Sequence, residues 1–195
     1  MEKVIIQKLE ETSYSLADVV TFLHDAFGER KAQGLMMGGI NITEEDLSRI
    51  LQDAVLYTAS VGSELEGMLS ARYASRQNRR KIEKYCHLGY VAVSPKAKRG
   101  GIGSLLLTRL EKEAKEKGCE YIISNTAEPA TSAVAWHLKQ GFRKIKYTRW
   151  KSRNYNSIVF RKELKPSLRK YLPFFSNMLY WRSRIAFKRQ PCQTP

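Results

Sequence analysis

The sequence predicts a mixed α/β domain, about seven strands in one sheet with four helices, followed by a basic amphipathic helical tail. Three observations predict it. Short β-branched and aromatic runs alternate with stretches of three- and four-residue apolar spacing as far as about residue 164. The unit spanning residues 90–125 has the length of a right-handed strand–helix–strand crossover between parallel strands. Beyond Pro166 the composition changes: residues 165–195 hold seven Lys or Arg and no Asp or Glu. The expected division is a folded domain over 1–164 and an extension over 165–195.

Each element has a local reason. Residues 4–9 read as a first strand, short and Ile/Val-rich. Ser13 or Ser15 caps a helix to about Phe27, because Leu16, Val19, Val20, Leu23 and Phe27 recur at helical spacing. His24, near its end, reads as a surface or helix-end residue. Residues 34–41 form an apolar loop, either a cover for a substrate or a plain connection. Thr43 caps a second helix over 44–53, with Asp46 standing at the capping-box position in place of Glu. Residues 54–61 and 66–74 are strands around a turn near Gly62 and Ser63. The basic stretch 76–81 reads as a solvated hairpin tip, with contact to an anionic acceptor as the alternative. Residues 83–94 are the central strand and 119–125 the return strand, separated by a helix that stops near Gly118. A helix over 130–140 ends at Gly141 and Phe142, and strands over 142–151 and 157–164 close the domain.

The chain has 195 residues and a net charge of +15, nearly half of that excess in the extension. Such a balance points toward nucleic acid or an anionic membrane surface as partners to weigh. No apolar run is long enough to span a bilayer, and the first residues are too charged for a signal peptide, so the cytoplasm is the expected location. Cys86, Cys119 and Cys192 show no metal spacing and no disulfide framework. Cys86 and Cys119 fall in predicted strands and read as small buried apolar residues.

The chemistry concentrates between Tyr90 and Leu110. Tyr90, Val91, Ala92 and Val93 make a buried strand that Pro95 ends. Lys98, Arg99, Gly100, Gly101, Ile102 and Gly103 form a glycine-rich turn, and a helix runs from Ser104 with Leu105, Leu106 and Leu110 on one side. Glycines let a backbone approach a ligand closely. The helix start presents unpaired N–H groups and the positive end of a dipole, so the turn suits a phosphate. A Walker turn is excluded, since no Lys-Ser or Lys-Thr follows Gly103. A dinucleotide turn is excluded too, since Leu106 stands where its third glycine belongs.

The turn does resemble the acetyl-CoA pyrophosphate motif of the GNAT acetyltransferase superfamily, Arg/Gln-x-x-Gly-x-Gly/Ala. Lys98 stands at the Arg/Gln position, with Gly101 and Gly103 at the glycine positions. A second stretch is similar to that family's closing motif, Asn-x-x-Ala-x-x-x-Tyr-x-x-x-Gly-Phe. Counting back from Gly141 and Phe142 puts His137 at the Tyr position, Ala133 at the Ala and Ala130 at the Asn. Together the motifs cover roughly 90–142, and the order of elements extends the resemblance over 1–164.

The resemblance implies a GNAT-like fold and direct transfer of acetyl from acetyl-CoA, as co-substrate and without a metal, to a primary amine of a small molecule or peptide. By that analogy the backbone of Val91, Ala92 and Val93 pairs with the pantetheine arm like an added strand. The turn from Lys98 to Ser104 then holds the diphosphate, and the N–H near Val91 polarises the thioester carbonyl. His87 lies on the strand where histone-type relatives carry a glutamate base. Strict alternation would point it the same way as Val91. It is the candidate base, against a packed or surface histidine. His137 is the candidate proton donor to the leaving thiolate, against a helix residue that only packs on the cofactor. Glu128 and Tyr155 are lesser candidates.

In the extension, Tyr171, Phe174, Met178, Trp181 and Ile185 recur at helical steps beside Arg182, Arg184, Lys188 and Arg189. That pattern fits a basic amphipathic helix, broken near Pro173, on the inner face of a membrane, on the domain itself or on a second copy. A competing reading is an acyl-CoA-fold module without catalysis that binds nucleic acid or an anionic membrane. The intact turn and two titratable histidines weigh against it, and nucleic acid is the less expected partner.

Overall fold

The computed structural model of the chain describes residues 3–78, 81–151 and 153–164. Seven strands form one sheet: β1 (Val4–Lys8), β2 (Val55–Val61), β3 (Glu64–Asn78), β4 (Lys81–Val93), β5 (Tyr121–Ala127), β6 (Arg143–Arg149) and β7 (Asn156–Glu163). Their order is β1-β2-β3-β4-β5-β7-β6. Only β4 and β5 pair in parallel; every other pair is antiparallel. The helices are α1 (Leu16–Ala32), α2 (Glu44–Leu51), α3 (Ile102–Glu116) and α4 (Thr131–Lys139).

Both cap assignments hold. Ser15 Oγ accepts from the Asp18 N–H at 3.2 Å, and Asp18 accepts back from the Ser15 N–H at 2.8 Å. Thr43 and Asp46 repeat this at the start of α2. Each box satisfies donors that a helix start leaves open.

The core has two sides. Leu106, Leu107, Leu110 and Ala114 of α3 bury against Leu69, Ala71, Cys86, Leu88 and Ile122. Val19, Leu23 and Leu47 of α1 and α2 bury against Leu56, Met68 and Ala92 on the other face. Cys86 and Cys119 are buried, and burial pushes the Cys86 thiol up to about 12.

Several boundaries move, each for a physical reason. Helix α3 starts at Ile102, capped by Gly101, rather than at Ser104. Its buried stripe runs through Gly103, Leu106, Leu107, Leu110 and Ala114, so Leu105, expected on the apolar side, lies off it and is 45% exposed. The first helix continues past Phe27 to Ala32, with Arg30 and Lys31 in its last turn suiting the dipole. The third strand runs on to Asn78, because Glu83 opposite it accepts from Arg76 at 3.1 Å and Asn78 at 2.7 Å. Lys81 pairs with Glu120 at 2.8 Å. Arg76 and Lys81 of the basic hairpin are thus ion-paired, and residues 79–80 lie outside the described residues. The amphipathic tail helix, with its membrane or dimer roles, lies outside them as well.

The largest departure from simple alternation is in β4. Its register against β3 slips between Met68, opposite Ala92, and Ser70, opposite Gly89. The extra residue falls at Tyr90 and Val91, and Tyr90 takes φ +43°. A bulge reverses the alternation beyond it. Leu88 before it and Val91 after it both belong to the α3 side, while Tyr90 and Ala92 belong to the α1–α2 side. His87 therefore points away from the face that Val91 occupies, which corrects the expectation that they share one.

Candidate functional site

Beyond the bulge the sheet opens. Pairing of β4 with β5 covers only Tyr85–Leu88 against Tyr121–Ser124. Past that point β4 stays with β3, and β5 stays with β7 as far as Ala127. The gap leads into a cleft of about 1340 Å³. Val91, Ala92, Val93, Lys98, Arg99, Gly101, Ile102, Gly103 and Ser104 all line it, as do His87 and His137. Gly100 helps form the turn but does not line the cleft. The edge of β4 that faces the gap carries no strand, so its backbone groups are available to an extended ligand.

At the mouth the turn does what its glycines suggest. Gly101 has φ +83°, a conformation that side-chain-bearing residues avoid, and Arg99 has φ +69°. Ser104 and Leu105 donate to the Gly101 carbonyl at 2.9 and 3.0 Å. No backbone carbonyl among the described residues accepts from the N–H groups of Gly101, Ile102 and Gly103. A Cβ on Gly103 would sit 3.3 Å from the Trp136 indole nitrogen, so α3 and α4 pack closely there. Gln140 donates to Ser104 Oγ at 2.8 Å and ties the two helices together. Lys98 is less free than its position suggests, since it pairs with Glu29 of α1 at 2.5 Å.

His137 is 4% exposed and stacks on Phe160 at 4.5 Å. Its Nδ1–H donates to the Ala133 carbonyl at 2.8 Å, which fixes the tautomer. Nε2 is then the acceptor for the Ser124 hydroxyl at 3.1 Å. Burial holds the ring below the usual histidine range, so it is neutral at pH 7. Ser124 also lines the cleft, at the point where β4 and β5 part.

His87 is half-buried, and among the described residues it has no hydrogen-bond partner. Burial first, and then Arg72 across the β3–β4 pair, hold its pKa low. It too is neutral at pH 7, with a free lone pair.

The α1–α2 face of the cleft is closed by two loops stitched together. Asn154 Nδ2 donates to the Gly34 carbonyl at 2.7 Å, and the Met36 N–H donates to Asn154 Oδ1 at 3.0 Å. Arg153 donates to the Met36 carbonyl at 2.8 Å. Leu35 buries against Ala127 and Ala130, and His24 Nε2 donates to the Ile42 carbonyl at 2.9 Å. The apolar loop of residues 34–41 is thus an anchored cover. Tyr155 lines the cleft, whereas Glu128 lies outside it and accepts from the Tyr147 hydroxyl. Sequence reasoning missed Tyr90, Ser124 and Arg153. The bulge and the packing of distant loops place them, and neither leaves a local signal.

A mixed sheet that parts between two parallel strands, with a helix start bearing open amides at the gap, defines the class of fold and site. The chain belongs to the acetyltransferase (GNAT) family, whose model matches residues 24–142, more than half of its length. Solved structures carry the same fold. An Arabidopsis thaliana NAA60 in complex with a bisubstrate analogue is 13% identical, with TM-score 0.66 over 84% of this chain and 100% of that one. PaiA N-acetyltransferase from Thermoplasma acidophilum in complex with coenzyme A is 17% identical, with TM-score 0.64 over 83% and 99%. A GNAT family acetyltransferase from Elizabethkingia anophelis with acetyl-CoA bound is 18% identical, with TM-score 0.60 over 84% and 99%. No curated protein matches the sequence. Among the described residues no helix is long and apolar enough to cross a membrane, and no group of His, Cys, Asp or Glu could hold a metal ion.

Proposed function

We propose that the protein transfers the acetyl group of acetyl-CoA to a primary amine of a small molecule or peptide, by direct attack with both substrates bound. One observation carries this reading: the opening between β4 and β5 runs from a start of α3 with free amides to a neutral, unpartnered imidazole. The amides of Gly101, Ile102 and Gly103 receive the diphosphate, with Arg99 adding charge. The unpaired edge of β4 at Val91, Ala92 and Val93 takes the pantetheine arm, and a backbone N–H there polarises the thioester carbonyl. Such a donor contributes ~3 kcal/mol where charge develops.

The bulge separates the two histidines, and the separation suits two roles. His87 lies on the α1–α2 face, from which an amine approaches under the anchored loop. It accepts the ammonium proton and leaves a nucleophilic amine. His137 lies beyond Ser124 on the α3–α4 side. With Nε2 free to accept, His137 takes up the second amine proton from the tetrahedral intermediate through the Ser124 hydroxyl. As a transient imidazolium it passes that proton back through the same hydroxyl to the leaving thiolate, while the proton on His87 goes to solvent. The resulting products are an N-acetyl amine and coenzyme A thiol.

The test is coenzyme A release from acetyl-CoA against a panel of amines, with mass spectrometry of the products. Amine-dependent release with a matching acetylated product is expected. Tight acetyl-CoA binding with no amine turnover would support the inactive binding module instead.

A further inference from the structure

We infer that the acceptor is an amine that also carries a carboxylate, and that Arg153 is the residue that reads it. The inference rests on the transfer reading above and narrows its substrate.

Among the described residues one carboxylate lines the cleft, Glu29, and it is already paired with Lys98. Lys98, Arg99, Lys139 and Arg30 line the cleft around the turn, α4 and the end of α1. Cations there face a ligand with several phosphate charges. Arg153 stands elsewhere. It reaches the cleft from the loop between β6 and β7, on the face where Tyr90 packs with α1 and α2.

At that place Arg153 is a fixed cation without a counter-ion among the described residues. Nη1 is held by the Met36 carbonyl at 2.8 Å. Nη2 and the Tyr90 hydroxyl converge on Gly38, where a Cβ would lie 3.0 Å from the first and 3.3 Å from the second. Only a glycine leaves that space open. Among the described residues no carboxylate lies within ion-pair distance of Arg153. Asp46, whose charge also reaches the Tyr90 hydroxyl, is occupied by Thr43 and Arg49. Tyr155 completes the wall, and the Arg153 charge acts on both tyrosine hydroxyls.

A guanidinium has five donors in a rigid fork that matches a carboxylate. Here one arm is anchored and the rest face the cleft beside a tyrosine hydroxyl. A simple alkylamine or polyamine arrives as a cation and meets repulsion. An amine that brings its own carboxylate meets a partner already held in place. Two sources share that chemistry, a terminal carboxylate close to the amine and an acidic side chain near a peptide N-terminus.

Matched acceptors separate them, using the full chain and acetyl-CoA. One pair is glycylglycine and its C-terminal amide. The other is a short peptide amide with Asp or Asn in second position. The carboxylate member of at least one pair should show kcat/KM higher by about tenfold or more, and the pair that responds identifies the source. Arg153→Gln, which can still donate to Met36, should erase the difference by raising acceptor KM, with acetyl-CoA KM unchanged. Arg153→Lys should restore part of it. Turnover with no carboxylate preference in either pair overturns this inference alone, as does a preference that survives Arg153→Gln. Failure to acetylate any amine overturns the transfer reading and this inference with it.

Discussion

The two mouths of the cleft are built in opposite ways. Around α3 the ligand meets backbone: three amides left open by a glycine-started helix and an unpaired strand edge. Around the α1–α2 loop it meets side chains: His87 and Tyr90 from β4, and Arg153 and Tyr155 from the loop between β6 and β7, two separate parts of the chain. A backbone seat needs only a strand, a turn and a helix in succession, and it suits a ligand that never changes. A side-chain mouth is assembled by tertiary packing, and substituting it leaves the fold alone. In the proposed transfer the first mouth serves the co-substrate and the second the acceptor.

The comparison breaks most sharply at Gly101. Gly101→Glu places a charged side chain at φ +83° against the diphosphate seat. Acetyl-CoA affinity should fall by about 100-fold or more, while backbone strain costs ~1–3 kcal/mol of stability. Calorimetric titration on a protein whose melting temperature has been checked reads both effects. Undiminished affinity in a folded variant would remove the seat from the turn.

Next come the histidines. His87→Ala should lower kcat by ~10²-fold or more with acetyl-CoA binding intact, and His137→Ala or His137→Phe should do the same. Steady-state kinetics beside a binding titration separates these effects, and an unchanged kcat in either position removes that residue from the mechanism. The low pKa of His87 adds a pH test. The base is active when neutral, so kcat/KM should hold its plateau to a lower pH than an ordinary histidine allows, and fall below it.

A smaller effect is expected from the stitching of the loops. Asn154→Ala loses two hydrogen bonds to the Gly34–Met36 segment. Acceptor KM should rise by roughly three- to tenfold and acetyl-CoA KM should stay put. A rise in both would mean that the loops support the whole cleft rather than one mouth.

The mildest prediction concerns folding. Burial lowers the pKa of His137 and His87 in the folded protein, so the unfolded chain binds more protons. Stability should be flat above about pH 6.5 and decline as the pH falls below it. His137→Phe should flatten part of that slope in urea melts between pH 7 and 5.

The same contrast explains what could be read from the sequence. Seven strands, four helices, both helix caps and the turn follow from rules that act over a few residues. Gly101, Gly103 and the stop at Gly118 carry that information in their identity. The glycine turn and the helix start behind it were legible for this reason. The bulge was not: Tyr90 has nothing local that demands φ +43°, and alternation alone put His87 on the wrong face. Arg153 looked like any polar turn residue, because its meaning comes from Gly38 and Met36, more than a hundred positions earlier. Leu105 was misplaced because the buried stripe of α3 runs through Gly103, Leu106, Leu107, Leu110 and Ala114, and among three successive leucines only the position of that stripe decides which one faces out.

A crystal structure of the protein with acetyl-CoA tests the central claim most directly. The diphosphate should lie on the N–H groups of Gly101, Ile102 and Gly103, with the pantetheine arm along Val91 to Val93 and the thioester at the opening between β4 and β5. A diphosphate bound elsewhere, with the turn unoccupied and β4 and β5 closed together, would contradict it.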